Sequence, residues 1–144
     1  MTIINRKAKF NYQLFEHLEA GVSLLGREAK AIRNNRGDLT NSYAKIINGE
    51  AFLINANIPA DSGGSYDSVR TRKLLLHKSE IVSVLSKIKA NKLTLVPIKL
   101  YTKGRLVKVE LALAKAKRKF EKKEAIKKKD VERELEKVLK SVKI

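Results

Sequence analysis

The chain has 144 residues, enough for one small domain and an appendage, and carries 32 Lys or Arg against 15 Asp or Glu, a formal net charge of +17. It contains neither Cys nor Trp, which excludes disulfides, thiol chemistry and thiolate metal sites and fits a reducing, cytoplasmic setting. So basic a composition favours a polyanion over a small acidic substrate; nucleic acid and an anionic membrane surface both satisfy it, while no segment is long and apolar enough to span a bilayer.

Residues 10–25 are rich in aromatic and branched apolar side chains, broken by Glu16 and Glu19 and interrupted by Gly21. The pattern predicts a strand, a bend or bulge, and a second strand. After Gly26, residues 27–33 predict a short helix with Ala29, Ile32 and Arg33 on one buried stripe, closed by the turn residues Asn34-Asn35-Arg36-Gly37. Residues 42–47 and 51–58 flank Asn48-Gly49, a strong hairpin signal. Residues 59–67, with Ser62-Gly63-Gly64-Ser65, predict a loop. Leu74, Leu75 and Leu76 form an apolar patch before a helix over residues 78–89, with Ile81, Val82, Leu85 and Ile88 on one face. Residues 93–101 and 106–114 predict two more strands around Lys103-Gly104. In the second, Val107, Val109, Leu111 and Leu113 alternate with Lys108, Glu110 and Ala112.

About six strands and two short helices predict a mainly β body, a small antiparallel barrel of Greek-key or oligonucleotide-binding type, because closure leaves no long open edge. The body is expected over residues 1–114 and a tail over 115–144. The tail holds 13 Lys or Arg and 6 Asp or Glu without Gly or Pro. It is too charged for a core, yet built from helix formers. It is expected to be flexible when free and helical against a polyanion, with Val131, Leu135, Val138, Leu139 and Val142 on one stripe.

Arg70 and Arg72 alternate in Ser68-Val69-Arg70-Thr71-Arg72-Lys73, so an extended chain points both the same way, a geometry for two phosphates; the plainer reading is a solvated loop. His77, alone beside an apolar run, reads more readily as a packing or capping residue than as an RNA contact or catalytic group. His17 has no evident partner, and the two histidines lack metal-ligand spacing. Glu19 and Glu28 read as surface ion pairs or helix charges, or as acceptors for guanine edges and ribose hydroxyls. Phe10, Tyr12, Tyr43, Tyr66 and Tyr101 read mostly as core, with stacking as the alternative; Phe120 stands alone in a basic run and suits stacking or docking. No phosphate loop, dinucleotide turn, nucleophile elbow or paired metal ligands occur. The residues therefore predict a binder with no catalytic residue, cofactor or metal. They leave open a general ribosome-associated RNA-binding protein and, more weakly, an RNA-processing enzyme using Glu28 or Glu110 with a metal.

Several blocks run in order over nearly the whole chain: Asn5-Arg6-Lys7-Ala8, Glu19-Ala20-Gly21, Gly26 and Glu28 with Lys30 and Arg33, Ser42-Tyr43-Ala44, Arg70 followed by Arg72-Lys73-Leu74-Leu75-Leu76-His77-Lys78, Thr94-Leu95-Val96-Pro97, and residues 108–115. Together they resemble the SsrA-binding protein family, small protein B. The resemblance implies a barrel body that binds the tRNA-like domain of transfer-messenger RNA (tmRNA). It also implies a tail that enters the vacant messenger channel of a stalled ribosome near the decoding centre of small-subunit ribosomal RNA. Elongation factor Tu would share the same RNA, in the cytoplasm, with no membrane and no chemistry by the protein. It places RNA contacts at Asn5, Glu19, Leu75, His77 and Lys108. The charged neighbours Arg6, Lys7, Glu28, Lys30, Arg33, Arg70, Arg72 and Lys73 complete the expected RNA surface. The tail positions are Lys115, Lys117, Arg118, Phe120, Glu121, Lys122 and Lys123. The chain departs from the family pattern at Ala29 and Ala31, at Asp67-Ser68 where Asp-Pro is usual, at Ala116 where Gly is usual, and at Glu121-Lys122-Lys123 where Asp-Lys-Arg is usual.

Overall fold

This computed structural model describes residues 2–60 and 66–117. In chain order the elements are β1 (Thr2–Ile4), α1 (Arg6–Asn11), β2 (Tyr12–Val22), α2 (Gly26–Arg33), β3 (Tyr43–Ile47), β4 (Glu50–Ile54), β5 (Arg72–Leu75), α3 (Lys78–Asn91), β6 (Thr94–Lys103) and β7 (Leu106–Ala116). The strands pair antiparallel in the order β1-β6-β3-β4-β5-β2-β7, and β7 returns to β6. Six strands thus close a ring, the expected small antiparallel barrel. β1 lies along the second half of β6, with Ile3 opposite Leu100, beyond the point where β3 meets β6 at Ala44 and Leu95.

Alternation along the strands fills the ring. Leu53, Leu74, Leu95, Leu100, Val109 and Leu111 turn inward, and Ile32, Leu39 and Ile58 join the same core. Each such side chain stabilises the fold by about 1.5–3 kcal/mol on burial. A second, smaller core lies where α1 meets β6 and β7. It holds Ala8, Val96, Ile98, Ala112 and Ala114, with Tyr12 and Leu14 packed against it. Alanine at three of these positions lets the short helix lie close to the sheet.

Several sequence expectations change. Phe10 belongs to α1, and β2 is one continuous strand rather than two; its irregularity falls between Leu14 and His17, not at Gly21. Gly21 pairs with Leu75, and a Cβ built on it would sit 3.2 Å from Leu75 Cβ, so the missing side chain makes room rather than a bend. The Leu74–Leu75 patch is the end of β5, a strand of four residues, too short to show periodicity. In α2 the buried residues are Glu28, Ala31 and Ile32, with Arg33 exposed; in α3 they are Ile81 and Val84, whereas Val82 is 62% exposed. The β3–β4 hairpin is as expected: Asn48 and Gly49 have φ of 51° and 78°, which suits the right-handed twist of the flanking strands. β4 stops at Ile54, before Asn55 with φ of 64°. β7 runs two residues beyond Ala114 to Ala116, and Lys117 N–H then donates to Asn11 O at 2.9 Å.

Candidate nucleic-acid interface

A groove of about 780 Å³ opens where the ends of β2, β5 and β7 meet the start of α3 and the β3–β4 turn. Its floor is apolar: Val22, Leu74, Leu75, Ile81, Leu106 and Val107. Its rim carries Lys73, Lys78, Arg105 and Lys108, with His77 beside them. Leu75 and Leu106 are 56% and 61% exposed, and both line the groove together, beside its cationic rim. Period-two geometry explains it. In β5, Arg72 and Leu74 point into the barrel, so Lys73 and Leu75 must point out. The fold therefore gathers Lys73, Leu75, His77 and Lys108 at one place. Lys73 also sits 3.4 Å from Glu50. His77 is the exposed N-cap of α3, and its backbone N–H donates to Glu80 Oε1 at 3.0 Å. Arg105 and Leu106 were not singled out in the sequence; their position beside the Gly104 turn was the available signal.

Glu19 continues this surface. It stands on β2 two residues before Gly21, which pairs with Lys108. Its carboxylate accepts from the Tyr101 hydroxyl and lies 3.6 Å from Lys103 Nζ. The Tyr101 hydrogen bond, chiefly, with help from Lys103 and Lys108, holds the Glu19 carboxyl below its ordinary value. Glu19 is thus an ionised acceptor in a basic surround.

Glu28, Arg70 and Arg72 are brought together for a different purpose. Glu28 and Arg72 are both fully buried. Arg72 donates to Glu28 Oε2 from Nε at 2.9 Å and from Nη2 at 2.7 Å, and to the carbonyls of Ala56, Ser68 and Arg70. Arg70 forks onto the same carboxylate, with Nε 3.0 Å from Oε2 and Nη2 on Oε1. The Tyr66 hydroxyl lies 2.9 Å from Oε2 and 2.7 Å from Ile58 O. Burial pushes the Glu28 carboxyl up, but donors from Arg70, Leu25 N–H, Arg72 and Tyr66 outweigh it and bring it down to about 2. The expected phosphate contact of Arg72 and acceptor role of Glu28 are therefore corrected: neither side chain reaches solvent, because each satisfies the other inside the fold. Arg70 keeps a side chain 32% exposed. Arg27, also missed, stacks over the Tyr66 ring at 4.6 Å.

Asn5 is buried rather than displayed. Its Nδ2 donates to Pro97 O at 2.9 Å and its N–H to Ile98 O at 2.7 Å, which locks α1 onto β6. Its Oδ1 accepts no hydrogen bond from the described residues. Arg6, Lys7 and Lys30 are exposed, and Arg33 donates to Arg105 O at 2.9 Å. Lys115 is paired with Gln13 in β7, and Lys117 Nζ donates to Lys9 O at 3.0 Å. Arg118, Phe120, Glu121, Lys122, Lys123 and the stripe at 131–142 lie outside the described residues.

The SmpB protein family profile matches residues 2–141. The chain belongs to the SmpB family. It is 46% identical over 134 residues to the SsrA-binding protein of Mesoplasma florum, covering 90% of each chain. It is 46% identical over 140 residues to the SsrA-binding protein of Carboxydothermus hydrogenoformans, covering 95% of this chain and 94% of the other. A solved chain from "tmRNA-SmpB: a journey to the center of the bacterial ribosome" is 42% identical, with a TM-score of 0.68, over 87% of this chain and 94% of that one. Among the described residues no helix is long and apolar enough to cross a membrane.

Proposed function

We propose that this SmpB-family chain binds tmRNA and serves trans-translation, the rescue of stalled ribosomes. The observation that carries the reading is the groove where Leu75, His77, Lys73 and Lys108 meet, continuous with Glu19. An apolar floor takes an unstacked base or sugar face, the lysines neutralise phosphates, and the carboxylate accepts from a donor edge. That combination suits structured RNA, whose base edges are exposed only at loops and ends. Family membership and likeness to a chain solved in a tmRNA-SmpB study support the choice of RNA.

In this reading the body grips the tRNA-like domain of the RNA. The residues after Lys117, with 11 Lys or Arg and 6 Asp or Glu, act in the vacant messenger channel near the decoding centre. Elongation factor Tu occupies the same RNA, the work is done in the cytoplasm, and the protein contributes binding and placement rather than a chemical step. Truncation after Lys117 tests the division, since that cut leaves β7 and its bond to Asn11 intact. The truncated chain is expected to keep its preference for tmRNA and to lose tagging of stalled nascent chains in a reconstituted translation reaction. Loss of the preference itself would contradict the two-part division.

A further inference from the structure

Strand register places two rows of side chains side by side on the outside of the barrel. One row runs Glu19, Glu110, Lys99, Ile4 across β2, β7, β6 and β1; the next runs Gly21, Lys108, Tyr101, Thr2. Residues two apart share a face, so Tyr101 is the one aromatic side chain in this charged double row. Glu19 and Glu110 stand directly opposite each other, an arrangement that repels unless each carboxylate is held by other groups. Each is held separately. Glu110 lies 3.7 Å from His17 Nδ1 and 3.9 Å from Lys99 Nζ. Glu19 is held through Oε2 by the Tyr101 hydroxyl and through Oε1 by Lys103 at 3.6 Å. Lys99 Nζ also lies 5.5 Å from the centre of the Tyr101 ring, which braces the ring between the two acids.

A carboxylate has about four lone-pair sites. The Tyr101 hydroxyl takes one on Oε2 of Glu19, and Lys103, at 3.6 Å from Oε1, lies beyond hydrogen-bond distance, so each oxygen keeps a free acceptor site, a fork that matches two parallel N–H donors such as the N1–H and N2–H of guanine. Without Tyr101, the carboxylate keeps only the Lys103 ion pair and is free to turn toward Lys103 or Lys108, so its free edge is no longer aimed. We propose that Tyr101 is a positioning residue for RNA recognition, its hydroxyl fixing Glu19 so that the free edge of the carboxylate reads a guanine donor edge. Burial and the neighbouring Glu19 carboxylate push the Tyr101 hydroxyl up to about 12, so it remains a donor throughout the physiological range.

This inference rests on the reading of Glu19 as an RNA contact, and the experiment separates the two. Affinities for tmRNA and for an ordinary tRNA are measured at fixed salt for the full chain, Glu19→Ala, Tyr101→Phe and the double variant. Tyr101→Phe is expected to lower the tmRNA-to-tRNA affinity ratio about tenfold, the scale of a lost hydrogen bond to a charged group. It should cause no further loss when Glu19 is already Ala. In an NMR titration of the carboxyl carbons, Glu19 is expected to titrate at higher pH in Tyr101→Phe, which a merely structural tyrosine would not produce. A Tyr101→Phe ratio equal to that of the parent, or losses that add in the double variant, would overturn the positioning role while leaving Glu19 in place. An unchanged ratio in Glu19→Ala would overturn the contact on which both depend.

Discussion

Arg72 donates from two of its nitrogens to one oxygen of Glu28, at 2.9 Å and 2.7 Å, and neither side chain is exposed. Taking two charges out of water is costly, and the cost is met here because every part of the pair is used. Arg72 also reaches three backbone carbonyls, and Glu28 accepts from Arg70, Tyr66 and Leu25 N–H. The pair joins α2 to β5 and to residues 66–70, so it is a structural joint inside the fold.

Breaking that joint on one side leaves an unpaired buried charge. Arg72→Met and Glu28→Ala are each expected to destabilise the body by about 3–5 kcal/mol. Equilibrium urea unfolding checks this. A loss below about 1 kcal/mol for Arg72→Met would mean that Arg72 is not the structural partner its burial implies.

Acid should find the same joint. The Glu28 carboxyl sits at about 2 in the folded chain, against an ordinary value of 4.5. A depressed folded value contributes stability that is fully present above about pH 4.5 and is lost as pH falls toward 2. Its size is on the order of 3 kcal/mol. Unfolding free energy measured from pH 6 to pH 2 should fall by more in the parent than in Glu28→Gln, which has no proton to bind at this site.

Gly21 offers a test of the groove that spares the core. An added Cβ meets Leu75 Cβ at 3.2 Å, and Leu75, being 56% exposed, has room to move outward. Gly21→Ala is expected to change stability by less than about 1 kcal/mol yet to weaken tmRNA binding by displacing Leu75. Thermal unfolding beside a binding titration separates the two effects.

Leu75 and Lys108 should fail in different ways. Lys108→Ala is expected to weaken binding to every RNA and to reduce the slope of log affinity against log salt by about one. Leu75→Ala is expected to weaken tmRNA binding by about 1 kcal/mol with the slope unchanged, because it removes apolar contact and no charge. Equal slope changes in both variants would contradict the division of the groove into an apolar floor and a cationic rim.

Long or strongly marked elements were legible in the sequence. The Asn48-Gly49 turn appears as expected, the alternation holds from Val107 to Leu111 before Ala112 is buried in the second core, and the expected helix over 78–89 is present and runs on to Asn91. Short elements were not: β1 and β5 have three and four residues, too few for a period to show. Gly21 looked like a break because the sequence does not reveal that Leu75 lies across from it. The site was split in the same way. Lys108 alternates with core residues along β7, so its outward direction could be read, whereas Lys73 and Leu75 stand on the short β5 and theirs could not. The burial of Glu28 and Arg72 depends on partners 44 residues apart, and a charge looks the same in sequence whether it is solvated or enclosed.

The most direct measurement is a salt titration of binding to tmRNA and to an ordinary tRNA of similar charge, with the full chain. If the body recognises RNA structure through the Leu75–Lys108 groove and Glu19, the preference for tmRNA persists as salt rises and counterion release is suppressed. If the two affinities are equal and collapse together, attraction is electrostatic alone, and specific recognition by the body is contradicted.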